Sequence, residues 1–371
     1  MLRVIFIIYI SLLSLGALAQ VDFPCKTDGC SNIIMSDGIV NGENNYYILN
    51  KQVKQAGENT KTSLILQIFE KTTNKNRENI QISLPITNIA SVSNLKVKDN
   101  EIMFILNSCD EFYFVKCNIS KPSLPIFFKI EAYSNLKNTE LFDYLLVEQE
   151  YIIIPVRISQ NLILLKYNSN GEKIAQQVIY KLAKNTQGIK IYTFNSQFLL
   201  TELCLDDKTQ SPTISMHIFS NAGQRLHKNS IQGCFSDLIY DKERKMLIVA
   251  LNQSNNIKLP EIHALFLNEN LKIEKDILLL KDKICDFFSA KLAKFDENSY
   301  IYSCVWTNLI TAKFNKYNTL KLYEKKLNAC IDSVIALLPT PNSITYILSL
   351  DVFERKTNST IKDYCIFTER L

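Results

Sequence analysis

The feature that most constrains this 371-residue chain is a pair of short apolar runs that recurs seven times. The first runs are YYILN (46–50), IMFIL (102–106), YIIIP (151–155), QFLLT (197–201), MLIVA (246–250), SYIYS (299–303) and TYILS (345–349). After a polar gap each is followed by a partner: SLILQIF (63–69), EFYFVKC (111–117), NLILLKY (161–167), TISMHIF (213–219), EIHALFL (261–267), LITAKFN (309–315) and KDYCIFT (362–368). The spacing, about 46 to 57 residues, is too long for ankyrin or leucine-rich repeats. Runs this short and this continuously apolar read as strands buried on both faces, so each copy must stack against its neighbours.

Each pair is flanked by two further strands. Before it comes a mixed strand ended by turn residues: Asp99-Asn100-Glu101, Asn195-Ser196, Lys242-Glu243-Arg244, Asp296-Glu297-Asn298, or Pro339-Thr340-Pro341-Asn342. Turn chemistry at equivalent places, in copies whose other residues differ, marks a repeated unit. After the pair comes a lysine-bearing alternating strand such as KIAQQVIY, KIEKDIL or LKLYEKKL, the pattern of an exposed edge. Pro155 breaks the pattern, because an inner strand needs an N–H there, and a bulge or early strand end is expected at that point.

In pattern and period the chain resembles the β-propeller superfamily. The resemblance implies an all-β, seven-bladed fold of four-stranded antiparallel blades, lettered A to D from the axis outward. It carries over no functional residues. The single Trp306 is at odds with Trp-Asp-type repeats and nine glycines with double-glycine kelch blades; no Tyr-Trp-Thr-Asp run or sialidase-type Asp-box occurs. The seventh unit stops after its third strand, so the segment from Gln20 to Phe23 is expected to close the ring as the missing outer strand, the alternative being an unclosed three-stranded blade.

The first residues combine a basic start, a short apolar stretch and Ala17-Leu18-Ala19, which reads as a signal peptide over 1–19 cut before Gln20. An uncleaved anchor is the alternative. Residues 20–371 then form one propeller domain, secreted or held in a secretory lumen, with no later run long enough to span a bilayer. The net charge of +5 is spread over interspersed acids and bases, which is a solvated surface and not a nucleic-acid footprint.

Ten cysteines in an oxidising compartment are more often bridged than free. Cys109, Cys204 and Cys304 fall at ends of B strands, Cys234, Cys285 and Cys330 at starts of A strands, and Cys25 and Cys30 before the first A strand, so eight are expected on one face. Cys285 with Cys304 and Cys204 with Cys234 are the expected bridges. Cys117 and Cys365 read as buried thiols. Sequons at Asn118, Asn252 and Asn358 fit the same compartment. No Cys-x-x-Cys pair occurs and only His217, His227 and His263 are present, so no metal site or cofactor is implied.

The cysteine-bearing face also carries the longest B-to-C segments, 51–62, 204–212, 252–260 and 351–360, expected to be recognition loops. Asp143, Asp237, Asp286 and Asp332 near A-strand starts are weak candidates for a carboxylate ring at the channel mouth, ordinary turn-bonding carboxylates being the plainer reading. No nucleophile–base–acid order, nucleophile elbow or phosphate loop is visible. His217 and His263 fall in third strands, where a packed histidine is the commoner case, and Asp206-Asp207 reads as a solvated pair. The function expected is a secreted binding or scaffold propeller that engages a protein or glycan. The alternatives are a propeller hydrolase or lyase using paired carboxylates, and a structural subunit of an extracellular or lumenal assembly.

Overall fold

The computed structural model describes residues 30–41, 44–56, 59–71, 76–86, 89–108, 111–123, 125–130, 139–141, 144–147, 151–205, 211–254, 261–281, 283, 286–305, 308–326, 331–340, 343–354 and 359–370. Among them the regular structure is all β, and no helix is long and apolar enough to cross a membrane. Seven antiparallel sheets follow one another along the chain in the arrangement of a seven-bladed β-propeller.

Two compact units divide the chain, within Phe23–Ile231 and Gln232–Leu371. In the former, blade one holds β1 (Cys30–Asn41), β2 (Asn45–Ala56), β3 (Asn59–Glu70) and β4 (Asn76–Ile82). Blade two holds β5 (Ser91–Lys98), β6 (Glu101–Ser108), β7 (Glu111–Asn118) and β8 (Ile126–Ile130). Blade three has five strands, β9 (Thr139–Leu141), β10 (Leu145–Val147), β11 (Tyr151–Ile158), β12 (Asn161–Asn168) and β13 (Lys173–Lys181). Blade four holds β14 (Thr186–Phe194), β15 (Gln197–Leu205), β16 (Pro212–Ser220) and β17 (Arg225–Gln232).

In the latter unit, blade five holds β18 (Cys234–Asp241), β19 (Met246–Asn252), β20 (Ile262–Asn268) and β21 (Ile273–Leu280). Blade six holds β22 (Asp286–Lys294), β23 (Tyr300–Val305), β24 (Asn308–Phe314) and β25 (Thr319–Lys326). Blade seven holds β26 (Ile331–Thr340), β27 (Ser343–Glu354) and β28 (Ser359–Arg370). The segment expected to add its fourth strand, Gln20 to Phe23, lies outside the described residues.

The core sits between blades. One apolar layer fills the space between blades one and two, among it Leu66, Phe104 and Leu106. Others lie between blades two and three, three and four, five and six, and six and seven. This is why the B and C strands read as unbroken apolar runs: β19 is buried at all seven positions, with Met246, Ile248 and Ala250 packed toward blade six. Each fully buried Leu, Ile or Phe contributes about 1.5–3 kcal/mol over its exposed state. The outer β13 is mostly exposed, as its lysines and glutamines require.

Two expectations are corrected. β11 runs straight through Pro155, which faces Leu164 in unbroken register with β12. The interruption falls on the other side, where β10 ends its pairing at Ile153 and β9 begins at Val156, so the inner strand parts opposite the proline's missing N–H. Segments 51–62 and 351–360 are not long loops. β2 and β3 pair out to Ala56 with Asn59, and β27 and β28 out to Glu354 with Ser359. Both hairpins thus run as paired strands almost to their tips.

Candidate functional site

The A-to-B and C-to-D turns of blades five and six build a groove from the core outward. Phe266, Tyr300 and Phe314 pack edge-on and tilted between the two blades, with centroids 5.6, 6.1 and 5.7 Å apart. The Tyr300 hydroxyl leaves this apolar layer and donates to Asp241 Oδ2 at 2.7 Å. Asp241 ends β18 with a wholly buried side chain, and Lys294, ending β22, donates to its Oδ1 at 3.1 Å. The same oxygen accepts the N–H groups of Glu243 and Arg244, at 3.1 and 3.2 Å, which folds the turn. Burial pushes the Asp241 carboxyl up, but the hydrogen bonds from Tyr300, Lys294 and the Arg244 backbone outweigh it and hold the group below the usual carboxylate range. For Lys294 burial works downward, and its bonds to Glu243 and Asp241 carry it above its usual value.

Held this way, the Arg244 guanidinium crosses to blade six and donates to Asn298 Oδ1 at 2.6 Å. Arg244, Met246, Asn298, Asn315, Lys316 and Tyr317 line a cavity of about 510 Å³. Asn298 and Asn315 are shared with a neighbouring cavity of about 400 Å³, which Lys313, Glu297 and Leu320 help to line. Asn315 Oδ1 accepts the N–H groups of Tyr317 and Asn318, at 2.8 and 3.0 Å, and so presents Tyr317, which is 78% exposed. Lys316 is held by Glu274 at 2.6 Å and Lys313 by Asp296 at 3.5 Å. The groove thus offers amide, guanidinium and phenol groups on fixed turns beside an apolar floor at Met246 and Leu320. That combination can both donate and accept hydrogen bonds beside a small apolar surface.

The residues singled out from the sequence fall elsewhere. Asp237 lies on β18, where its Oδ2 accepts the Leu292 N–H of the next inner strand at 2.8 Å. Asp286 and Asp332 lie in β22 and β26 with side chains outside the described part, and Asp143, Asp206 and Asp207 lie outside the described residues. Cys204 and Cys304 are the penultimate residues of β15 and β23, and Cys30 and Cys234 begin β1 and β18. Cys204 and Cys234, expected as a bridge, each carry a free thiol in their own unit. Burial pushes both thiols up, and for Cys204 the Glu202 charge of its own blade adds to that. Strand alternation turns Cys304 into the apolar layer between blades five and six. Cys25, Cys109, Cys285 and Cys330 lie outside the described residues; Cys117 is a buried thiol, and the Cys365 side chain is outside the described part.

A buried polar cluster between blades three and four escaped the sequence reading. Glu202 accepts the Ala183 N–H at 2.7 Å, the Tyr180 hydroxyl at 3.1 Å and the Thr186 hydroxyl. Tyr180 also lies 3.3 Å from His217 Nε2. The His217 pKa is pushed down to about 4, chiefly by burial and further by Lys228, against the opposing charge of Glu202. A glutamate inside the run QFLLTEL was the one available signal. Its bonds tie β15 and β14 of blade four to Tyr180 at the edge of blade three, and Tyr180 in turn reaches His217 on β16, which is a structural use. His263 pairs with Asp276 at 2.7 Å on the outer strands of blade five. Among the described residues no group of three His, Cys, Asp or Glu is placed to hold a metal ion.

No protein-family model and no curated protein matches the sequence. Solved structures do match in shape. A variant of KlHsv2 with loop 6CD replaced by a Gly-Ser linker is similar at a TM-score of 0.52 and 9% identity, over 92% of this chain and 99% of that one. A protein from Lactobacillus plantarum is similar at 0.52 and 11% identity, over 88% and 100%. Raptor from Chaetomium thermophilum is similar at 0.51 and 9% identity, over 91% of this chain and 28% of that one. At such identities the likeness speaks for the fold alone.

Proposed function

We propose that this chain is a secreted binding or scaffold propeller that engages a protein partner through the groove on blades five and six. The observation that carries the reading is the pair of adjoining cavities, anchored through Asp241 and Tyr300 to the core and lined by Arg244, Asn298, Asn315 and Tyr317. A rigid scaffold with exposed turn residues is how propellers present recognition surfaces. Entry to the secretory route rests on the leader over residues 1–19. N-terminal sequencing of the exported protein is expected to begin at Gln20.

The test is cross-linked capture from the native secretory fraction with the wild type and with Tyr317→Ala and Lys316→Ala. Support is a protein captured by the wild type and lost with either variant, at unchanged melting temperature. Equal capture by wild type and variants, or capture of glycan alone, overturns it.

A second reading, a structural subunit, draws on the outer strands. Ile174 and Val178 on β13, Ile273 and Leu278 on β21, and Leu320 and Leu322 on β25 are exposed aliphatics on open strand edges. Edges of this kind pair with other chains unless charged or covered. Assembly through them would be seen as a sedimenting oligomer that Val178→Lys with Leu322→Lys reduces to monomer; a wild-type monomer at high concentration removes this reading.

A further inference from the structure

The three sequons are not equivalent. Asn252 ends β19 and is 1% exposed. Its Oδ1 accepts the N–H groups of Ser254 and Glu261, each at 3.0 Å, and so clamps both sides of the segment joining β19 to β20. Its Nδ2 is buried too. Behind it the backbone is in close contact: a Cβ on Gly233 would stand 2.7 Å from the Asn252 carbonyl oxygen. A sugar on this nitrogen has no path to solvent unless the clamp opens.

Asn118 is the opposite case. It ends β7 on the turn toward β8 and is exposed. Its Oδ1 accepts the Ser120 N–H at 2.9 Å, which curls the sequon so that the third residue returns over the first. Asn100 Nδ2 steadies the Ser120 hydroxyl at 2.8 Å. Asn118 Nδ2 itself has no hydrogen-bond partner among the described residues. Nothing in the fold is lost when that nitrogen is substituted.

We infer that Asn118 carries an N-linked glycan in the folded protein and that Asn252 does not. In the transfer, a bond forms between Asn118 Nδ2 and the anomeric carbon of a lipid-diphosphate-linked oligosaccharide as that carbon's bond to phosphate oxygen breaks. Nδ2 gives up one proton, the lipid diphosphate leaves as the anion, and nothing is oxidised or reduced. Attachment precedes folding, so chains modified at Asn252 arise only as molecules that cannot close the β19–β20 clamp. A glycan on Asn118 also keeps the outer turn of blade two clear of protein interfaces.

The inference rests on the secretory reading above, and the experiment separates the two. Residues 20–371 are exported from eukaryotic cells behind an unrelated leader, with an independent acceptor sequon appended at the C-terminus and Asn358→Gln in the background. Glycopeptide mapping of the exported protein is expected to find Asn118 occupied and Asn252 unoccupied. Asn118→Gln and Ser120→Ala are each expected to remove one glycan and to leave export unchanged. An unmodified Asn118 beside a modified tag, or a glycan on Asn252 in folded protein, overturns the inference. Delivery by the native leader is measured separately and bears only on the secretory reading.

Discussion

The carboxylate of Asp237, on β18, accepts the backbone N–H of Leu292, on β22, at 2.8 Å. Inner strands of successive blades pack on each other but do not form ladders, so their inward N–H groups need side-chain acceptors. Lys96 does the complementary work in the other unit, donating to the Tyr144 carbonyl at 2.5 Å and the Thr193 hydroxyl at 2.8 Å. Asp237→Ala leaves a half-buried N–H unpaired and is expected to cost about 1–3 kcal/mol in urea unfolding. Asp237→Asn keeps an acceptor and is expected to lose less than half of that. Equal losses would mean that the charge, not the hydrogen bond, joins the strands.

The C-to-D turns of blades three, four and five repeat one solution, with a leucine in place of glycine in blade five. Gly171 and Gly223 have φ values of +86° and +81°, and Leu271 takes the equivalent place in blade five at +62°. A Cβ on Gly171 would lie 2.5 Å from the Phe128 ring, so Gly171→Ala meets both backbone strain and overlap. Leu271 accepts strain of about 1 kcal/mol in return for burial worth about 1.5–3 kcal/mol. Leu271→Gly is therefore expected to destabilise blade five despite relieving its backbone, by about 1–2 kcal/mol in denaturant melts. A stabilised variant would show that the buried side chain contributes less than the strain.

The strands were legible and the site was not, for one physical reason. Each inner pair is buried on both faces, so MLIVA and NLILLKY announce their strands from local composition, and turn residues such as Asp99-Asn100 mark the ends with positive φ at both positions. Not every strand carries that signal. KQVKQA pairs as strand in β2 yet is as polar as a loop. Pro155 was visible, but the relief it needs lies in the neighbouring strand. The groove joins Arg244 to Asn298 and Asn315 across two blades, and no residue in it departs from ordinary turn composition. Likewise the direction in which Cys304 points depends on strand alternation across β23, which composition alone does not give.

Acid should loosen the blade three to blade four contact before it reaches the carboxylates. His217 is 1% exposed, and its pKa of about 4 lies below the unfolded value of about 6.5. Between those values the unfolded chain binds the extra proton, so the stability contributed by neutral His217 is present above about pH 6.5 and is lost as pH falls toward 4. A fall from pH 7 to pH 5 is expected to cost about 1–2 kcal/mol from this group alone. His217→Gln is expected to flatten the slope in that window. An unchanged slope would place the titration elsewhere.

Lys294 and Asp241 should set both ends of the stability profile of blades five and six. The Asp241 carboxyl is held below its unfolded value, so its contribution is present above about pH 3.9 and is lost as pH falls through the folded value. Lys294 is held above its unfolded value, so its contribution is present below about pH 10.4 and is lost as pH rises through the folded one. Lys294→Met removes the ammonium and leaves the buried carboxylate with Tyr300 and backbone donors only, an expected loss of about 2–3 kcal/mol, below the range for fully buried pairs because Lys294 is partly solvated. Asp241→Asn with Lys294→Met should cost less than the sum of the single changes, since the second removes a partner already idle. Because Asp241 also folds the turn that carries Arg244, Asp241→Asn is expected to weaken partner capture although no partner atom touches it. Strict additivity of the two substitutions, with capture intact, would separate the groove from the ion pair beneath it.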